Sequence, residues 1–85
     1  MSWRVELERA AQKGLRNLPP DAQRRVLLAL RDLAADPLSA RNVKALVDRR
    51  GFRLRVGDYR ALYVLHPEDR VISVEKIGQR GDFYD

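Results

Sequence analysis

Fourteen arginines stand against three lysines in a chain of 85 residues. Five of them, Arg49, Arg50, Arg53, Arg55 and Arg60, fall between residues 49 and 60, where the only acid is Asp58. A guanidinium is always charged and offers a planar fork of donors that matches a phosphate or a carboxylate. Such a cluster points to a polyanion, with nucleic acid as the first candidate and an acidic protein as the second.

The residues around the cluster say where these side chains go. Phe52-Arg53-Leu54-Arg55-Val56 alternates with period two, Gly57-Asp58 is a turn dipeptide, and Tyr59 to Leu65 is rich in apolar and aromatic residues. A two-residue hairpin loop at Gly57-Asp58 sets Val56 opposite Tyr59, Arg55 opposite Arg60, Leu54 opposite Ala61 and Arg53 opposite Leu62. Phe52, Leu54, Val56, Tyr59, Ala61, Tyr63 and Leu65 then share one face, and Arg53, Arg55 and Arg60 share the other. Like charges directly opposite one another destabilise a sheet, and a bound anion removes that penalty. If Arg60 is placed only for such a ligand, its removal leaves stability unchanged or slightly raised. The competing explanation is a solvated outer face on which long arginine stems cover Leu62 and Val64. A different turn reverses the faces, because one residue of slip does so.

Pairing Leu65 with Ile72 in the following strand places Val74 in the core and Ser73, Glu75 and Ile77 on the arginine face. Glu75 then lies beside Leu62 and within reach of Arg53. It serves there as a salt-bridge partner or, in the sharper reading, as a general base.

The elements that must hold this face follow from periodicity. Residues 2–7 alternate as a short strand. Ala11, Leu15 and Leu18 recur at helical spacing over residues 8–18, and Leu18-Pro19-Pro20 ends that helix. A second helix begins near Pro20 or Asp21, with Val26, Leu27, Leu30, Leu33 and Ala34 as its apolar stripe, and stops at Asp36-Pro37. Residues 38–50 read as irregular. Strands follow over 52–56, 59–65 and 71–77. The expected fold is α+β, ordered β-α-α-β-β-β, with a two-helix hairpin packed on one face of an antiparallel sheet. Residues 1–85 form a single domain.

Composition narrows the function classes. The formal net charge is +5 and the hydrophobic content 45%, enough for a small core. No cysteine is present and His66 is the sole histidine, so no metal site or cofactor is expected. His66, beside Pro67, reads as a turn residue. No apolar run has the roughly 20 residues of a membrane span, and the first residues have no signal-peptide core. A cytoplasmic protein without a membrane partner is expected.

Residues 52–63, Phe-Arg-Leu-Arg-Val-Gly-Asp-Tyr-Arg-Ala-Leu-Tyr, and residues 77–84, Ile-Gly-Gln-Arg-Gly-Asp-Phe-Tyr, together resemble the RelE/ParE superfamily of bacterial and archaeal toxins. Leu18-Pro19 and Leu33-Ala34-Ala35-Asp36-Pro37 resemble its helical hairpin. The resemblance implies the toxin of a type II toxin–antitoxin system. RelE-type members are ribosome-dependent endoribonucleases (mRNA interferases) that cut mRNA in the A site and so inhibit translation. ParE-type members inhibit DNA gyrase, and a member that has lost activity would only bind its antitoxin. A cognate antitoxin and mRNA on the ribosome are the implied partners, with a higher-order toxin–antitoxin complex as a further expectation.

By the same resemblance Arg53, Arg55, Arg60, Arg80 and Tyr84 are the catalytic set, with Arg49 and Arg50 binding RNA beside it. Arg80 and Tyr84 favour the RelE type. RelE-type sites commonly carry lysine at one or both of the paired strand positions, whereas Arg53 and Arg55 are both arginine here. Arginine cannot act as a base, so Glu75, Asp82 and Tyr84 are the candidates for that role. Trp3 and Phe52 are expected in the core or at the antitoxin interface.

Overall fold

The structure, a computed structural model, describes residues 2–83. Strand β1 (Arg4–Leu7) leads into helices α1 (Arg9–Arg16) and α2 (Pro20–Ala35). Strands β2 (Val43–Ala45), β3 (Phe52–Val56), β4 (Tyr59–His66) and β5 (Val71–Gln79) follow, and a 3-10 turn spans Arg80–Phe83. The α+β architecture is the expected one, with two additions. Residues 43–45, read as irregular, form an extra edge strand antiparallel to β3, so the sheet has five strands in the order β1-β5-β4-β3-β2. The sheet is also not wholly antiparallel: β1 runs parallel to β5, with Val5 opposite Ile72 and Leu7 opposite Val74.

The β3–β4 register matches the hairpin expectation residue for residue, from Val56 opposite Tyr59 to Phe52 opposite Tyr63. Gly57 has φ +61° while Asp58 does not enter the positive region, the pattern of a type II′ turn. Leu54, Ala61, Tyr63, Ile72, Val74 and Ile77 face the helices and pack with Ala11, Leu18, Val26, Leu30 and Leu33. The Phe52 ring stacks on Tyr63 at 5.5 Å. On α2, Leu27 was expected in the apolar stripe but is 48% exposed. The buried set is Ala22, Val26, Leu30, Leu33 and Ala34, spaced to keep one face on the sheet.

The register of β5 departs from expectation. Leu65 does pair with Ile72 and Tyr63 with Val74, but Leu62 pairs with Lys76 and Ala61 with Ile77. A bulge at Glu75 inserts one residue and exchanges the faces beyond it. Ile77 therefore lies in the core at 3% exposure, and Lys76 takes the outward place.

Helix α1 lies directly on this part of β5. A Cβ at Gly14 would overlap the Ile77 carbonyl, so the helix comes this close only because residue 14 is glycine. In a free helix Gly→Ala stabilises. Here Gly14→Ala is expected to lower stability by about 1–3 kcal/mol, through overpacking, in urea denaturation.

Burial pushes the Tyr63 phenol up to about 12. The folded state favours the neutral phenol, so this contribution is whole below pH 10 and is lost as pH rises from 10 to 12. Its size is on the order of 2–3 kcal/mol. Denaturation curves across that window are expected to show a steeper loss for the wild type than for Tyr63→Phe.

Candidate nucleic-acid interface

On the face of the sheet away from the helices, two rows of side chains run across the strands. Lys44, Arg53, Leu62 and Lys76 form one row from β2 to β5. Arg55, Arg60 and Gly78 form the next. Two directly opposed pairs, Lys44 with Arg53 and Arg55 with Arg60, carry like charge. Among the described residues no ion pair involves any of the five cations; the pairs formed are Arg4–Glu6, Arg24–Asp21 and Arg49–Glu75. Asn42, Lys44, Arg53, Arg55 and Arg60 line a cleft of about 270 Å³ here.

The arrangement can hold an anion and stabilise negative charge that develops on it. Each opposed pair is unfavourable in the empty sheet, and an oxyanion between its members converts the repulsion into charge-assisted hydrogen bonds.

Arg60 differs from its neighbours. It is 9% exposed, and its Nη1 donates to the carbonyls of Gly57 and Tyr59, each at 2.9 Å. Its guanidinium therefore braces the hairpin turn while lining the cleft. This corrects the expectation that removing Arg60 leaves stability unchanged or raised. Relief of the Arg55 repulsion is worth about 0.2–1 kcal/mol. Hydrogen bonds from a charged donor are worth about 1.5–3 kcal/mol. The bonds win, because the group is buried and both acceptors lie on the turn it holds. Arg60→Ala is expected to lose about 1–3 kcal/mol in urea denaturation, while Arg55→Ala, at an exposed position, holds stability or gains up to about 1 kcal/mol.

The remaining sequence candidates separate. Arg80 begins the 3-10 turn, and its backbone N–H donates to Asp58 O at 2.9 Å, which fixes the chain beside the hairpin tip. Tyr84 lies outside the described residues. Arg49 and Arg50 are not in the 270 Å³ cleft. Arg49 pairs with Glu75 at 2.7 Å, and Arg50 donates to Leu65 O at 3.3 Å beside His66.

Glu75 was expected opposite Leu62 and near Arg53. The bulge moves it away from that register, and its ion pair is with Arg49 instead. Asp82 Oδ2 accepts the Gln79 backbone N–H at 2.8 Å. It packs over Gly78, where a Cβ would come within 2.6 Å of that oxygen. Glu75 thus holds Arg49 at the bulge in the middle of β5, and Asp82 holds the chain just beyond its C-terminal end.

Lys44 and Lys76 are the cations that sequence reasoning missed. Lys76 Nζ donates to Asp82 O at 2.8 Å and stands 4.7 Å from the Phe83 ring centroid, tying the 3-10 turn to the sheet. Its signal was in the sequence. The apolar positions Ile72 and Val74 are two apart, Val74 and Ile77 three apart, and a broken alternation in a strand marks a bulge. Lys44 sits in a strand of three residues, too short for alternation to speak.

A family model described as the ParE toxin of the type II toxin–antitoxin system parDE matches residues 5–84. The chain belongs to this family, within the RelE/ParE superfamily. It is 29% identical to the candidate toxin RelE1 of Methanocaldococcus jannaschii, over 99% of this chain and 97% of that protein. Two solved structures share its fold along almost their full length. One is the toxin–antitoxin complex RelBE2 of Mycobacterium tuberculosis, with TM-score 0.82, 29% identity, and 94% of this chain and 100% of that chain covered. The other is the RelE–RelB complex of Pyrococcus horikoshii OT3, with TM-score 0.80, 31% identity, and 95% and 98% covered.

Proposed function

We propose that this protein is the toxin of a type II toxin–antitoxin pair and a ribosome-dependent endoribonuclease that cuts mRNA in the A site without a metal. The observation that carries the reading is the double row of cations with like charges opposed across the strands. RNA is a polyanion, and a phosphodiester seated between Arg55 and Arg60 or between Lys44 and Arg53 relieves the repulsion.

The chemistry follows from what these groups can do. The ribose 2′-hydroxyl attacks the adjacent phosphorus as its proton passes to water, the P–O5′ bond breaks to leave a 2′,3′-cyclic phosphate, the 5′-oxygen takes a proton from water, and negative charge builds on the non-bridging oxygens in between. Fixed guanidinium donors stabilise that charge in place, with no reorganisation at the moment of reaction. Cations repel a divalent metal, so the charge stabilisation is assigned to the side chains themselves. Glu75 and Asp82 are engaged elsewhere, and arginine does not accept a proton. Tyr84, the remaining candidate base, lies outside the described residues. Alignment of the hydroxyl is assigned to the ribosome, which holds the codon rigidly. A protein with this role works in the cytoplasm; among the described residues no helix is long and apolar enough to cross a membrane.

The partner proposed for regulation is an antitoxin, since both solved relatives are toxin–antitoxin complexes. A groove of about 400 Å³ between β1 and α2 offers apolar surface from Trp3, Val5, Leu7 and the exposed Leu27. Phe52, by contrast, is used in the core against Tyr63.

The matching family model is described as ParE, which favours gyrase inhibition as the second reading. Primer extension on translated mRNA after induction, beside a gyrase supercoiling assay, separates the two. Cuts within A-site codons are expected, lost in Arg53→Ala and absent on naked RNA. Inhibited supercoiling with intact mRNA would establish the second reading instead.

A further inference from the structure

A second cleft, of about 410 Å³, adjoins the first and shares Arg53 with it. Val47, Leu62 and Phe83 give it apolar walls, and Val47 is 95% exposed although it is an aliphatic residue. Two carboxylates, Asp48 and Asp82, also line it. Asp82 is already engaged by the Gln79 N–H. Asp48 forms no ion pair among the described residues; the pairs formed there are Arg4–Glu6, Arg24–Asp21 and Arg49–Glu75. Arg49 and Lys76 line it as well, Arg49 paired with Glu75 and Lys76 over one face of the Phe83 ring. A slot with apolar walls, the ring of Phe83, cations for the phosphate and a carboxylate acceptor is suited to one unstacked base. Single-stranded RNA is read in this way, by stacking and by hydrogen bonds to the base edge.

We propose that this cleft holds the base next to the scissile phosphate and that Asp48 reads its Watson–Crick edge, favouring bases with an amino group and rejecting uracil. The inference rests on the RNA-cutting reading above and deepens it. An ionised carboxylate only accepts hydrogen bonds. Guanine, adenine and cytosine each carry an exocyclic amino group at an end of that edge, where one carboxylate oxygen accepts a hydrogen while the other stays clear of the ring acceptors N1 of adenine and N3 of cytosine. Uracil offers one N–H between two carbonyl oxygens, and at least one of those oxygens is set against the carboxylate. Discrimination of roughly tenfold is expected from such a mismatch.

The test uses the purified full chain and ribosomes programmed with mRNAs that differ by a single base in the A-site codon. The wild type is expected to cut at least tenfold more slowly when uridine occupies one of the two positions flanking the cut. Asp48→Asn, which gains a donor, is expected to narrow that ratio at least fivefold, whatever the total rate. Phe83→Leu is expected to slow cutting for all four bases and to leave the ratio alone. A uridine ratio unchanged in Asp48→Asn, or full-rate cutting by Phe83→Leu, overturns the base pocket and leaves the nuclease reading standing. No cutting by the wild type overturns both.

Discussion

The register of β3 against β4 is the constraint on which the site depends. Side chains alternate across a strand, so the inward places of Leu54, Ala61 and Tyr63 compel Arg53, Arg55 and Arg60 to face outward together. A slip of one residue would bury guanidinium groups and expose the largest core residues, at a cost of several kcal/mol per unpaired ion. The type II′ turn at Gly57-Asp58 locks the same register from the end of the hairpin. Hydrophobic packing thus enforces the juxtaposition of Arg55 with Arg60, which the pair's own electrostatics oppose. The core supplies the stability against which the cleft keeps its charges together.

The bulge at Glu75 serves the same division between faces. Without it, regular alternation would put Ile77 in the cleft and Lys76 against α1. The extra residue restores Ile77 to the core beneath Gly14, brings Lys76 into line with Arg53, and turns Glu75 toward Arg49. One inserted position therefore adds a cation to the outer row and draws a carboxylate away from it. Bulges re-aim side chains in this way beside functional sites.

The parts legible in the sequence were those with a strong local signal. The hairpin, its register and the outward arginines could be read because a turn dipeptide stood between two clean alternations. The helices could be read from their apolar spacing and from Pro19-Pro20 and Asp36-Pro37. Strand β2 could not, because three residues contain too little pattern and its pairing with β3 is a tertiary event. The place of Glu75 was misjudged because regular alternation was carried through a strand whose apolar spacing changes after Val74. The direction of the Arg60 side chain was beyond pattern altogether. Periodicity assigns a face, whereas the curl of its guanidinium back onto Gly57 and Tyr59 depends on rotamer and turn geometry.

That curl separates the arginines of the cleft by role. Arg60 has two carbonyls to hold it, so it presents a preorganised charge whose position is already fixed before any ligand arrives. Arg55, exposed and opposite it, has no such brace among the described residues and can close on an anion. On the nuclease reading proposed above, a fixed donor paired with a mobile one would let the cleft admit a bulky polymer and still meet the developing charge with at least one dipole in place. It also explains why arginine suits both positions. The braced residue needs several donors at once, some for the turn and some for the ligand, and a guanidinium has five where an ammonium has three. Lysine at residue 60 would keep the charge but could not hold the turn and an anion in the same planar geometry.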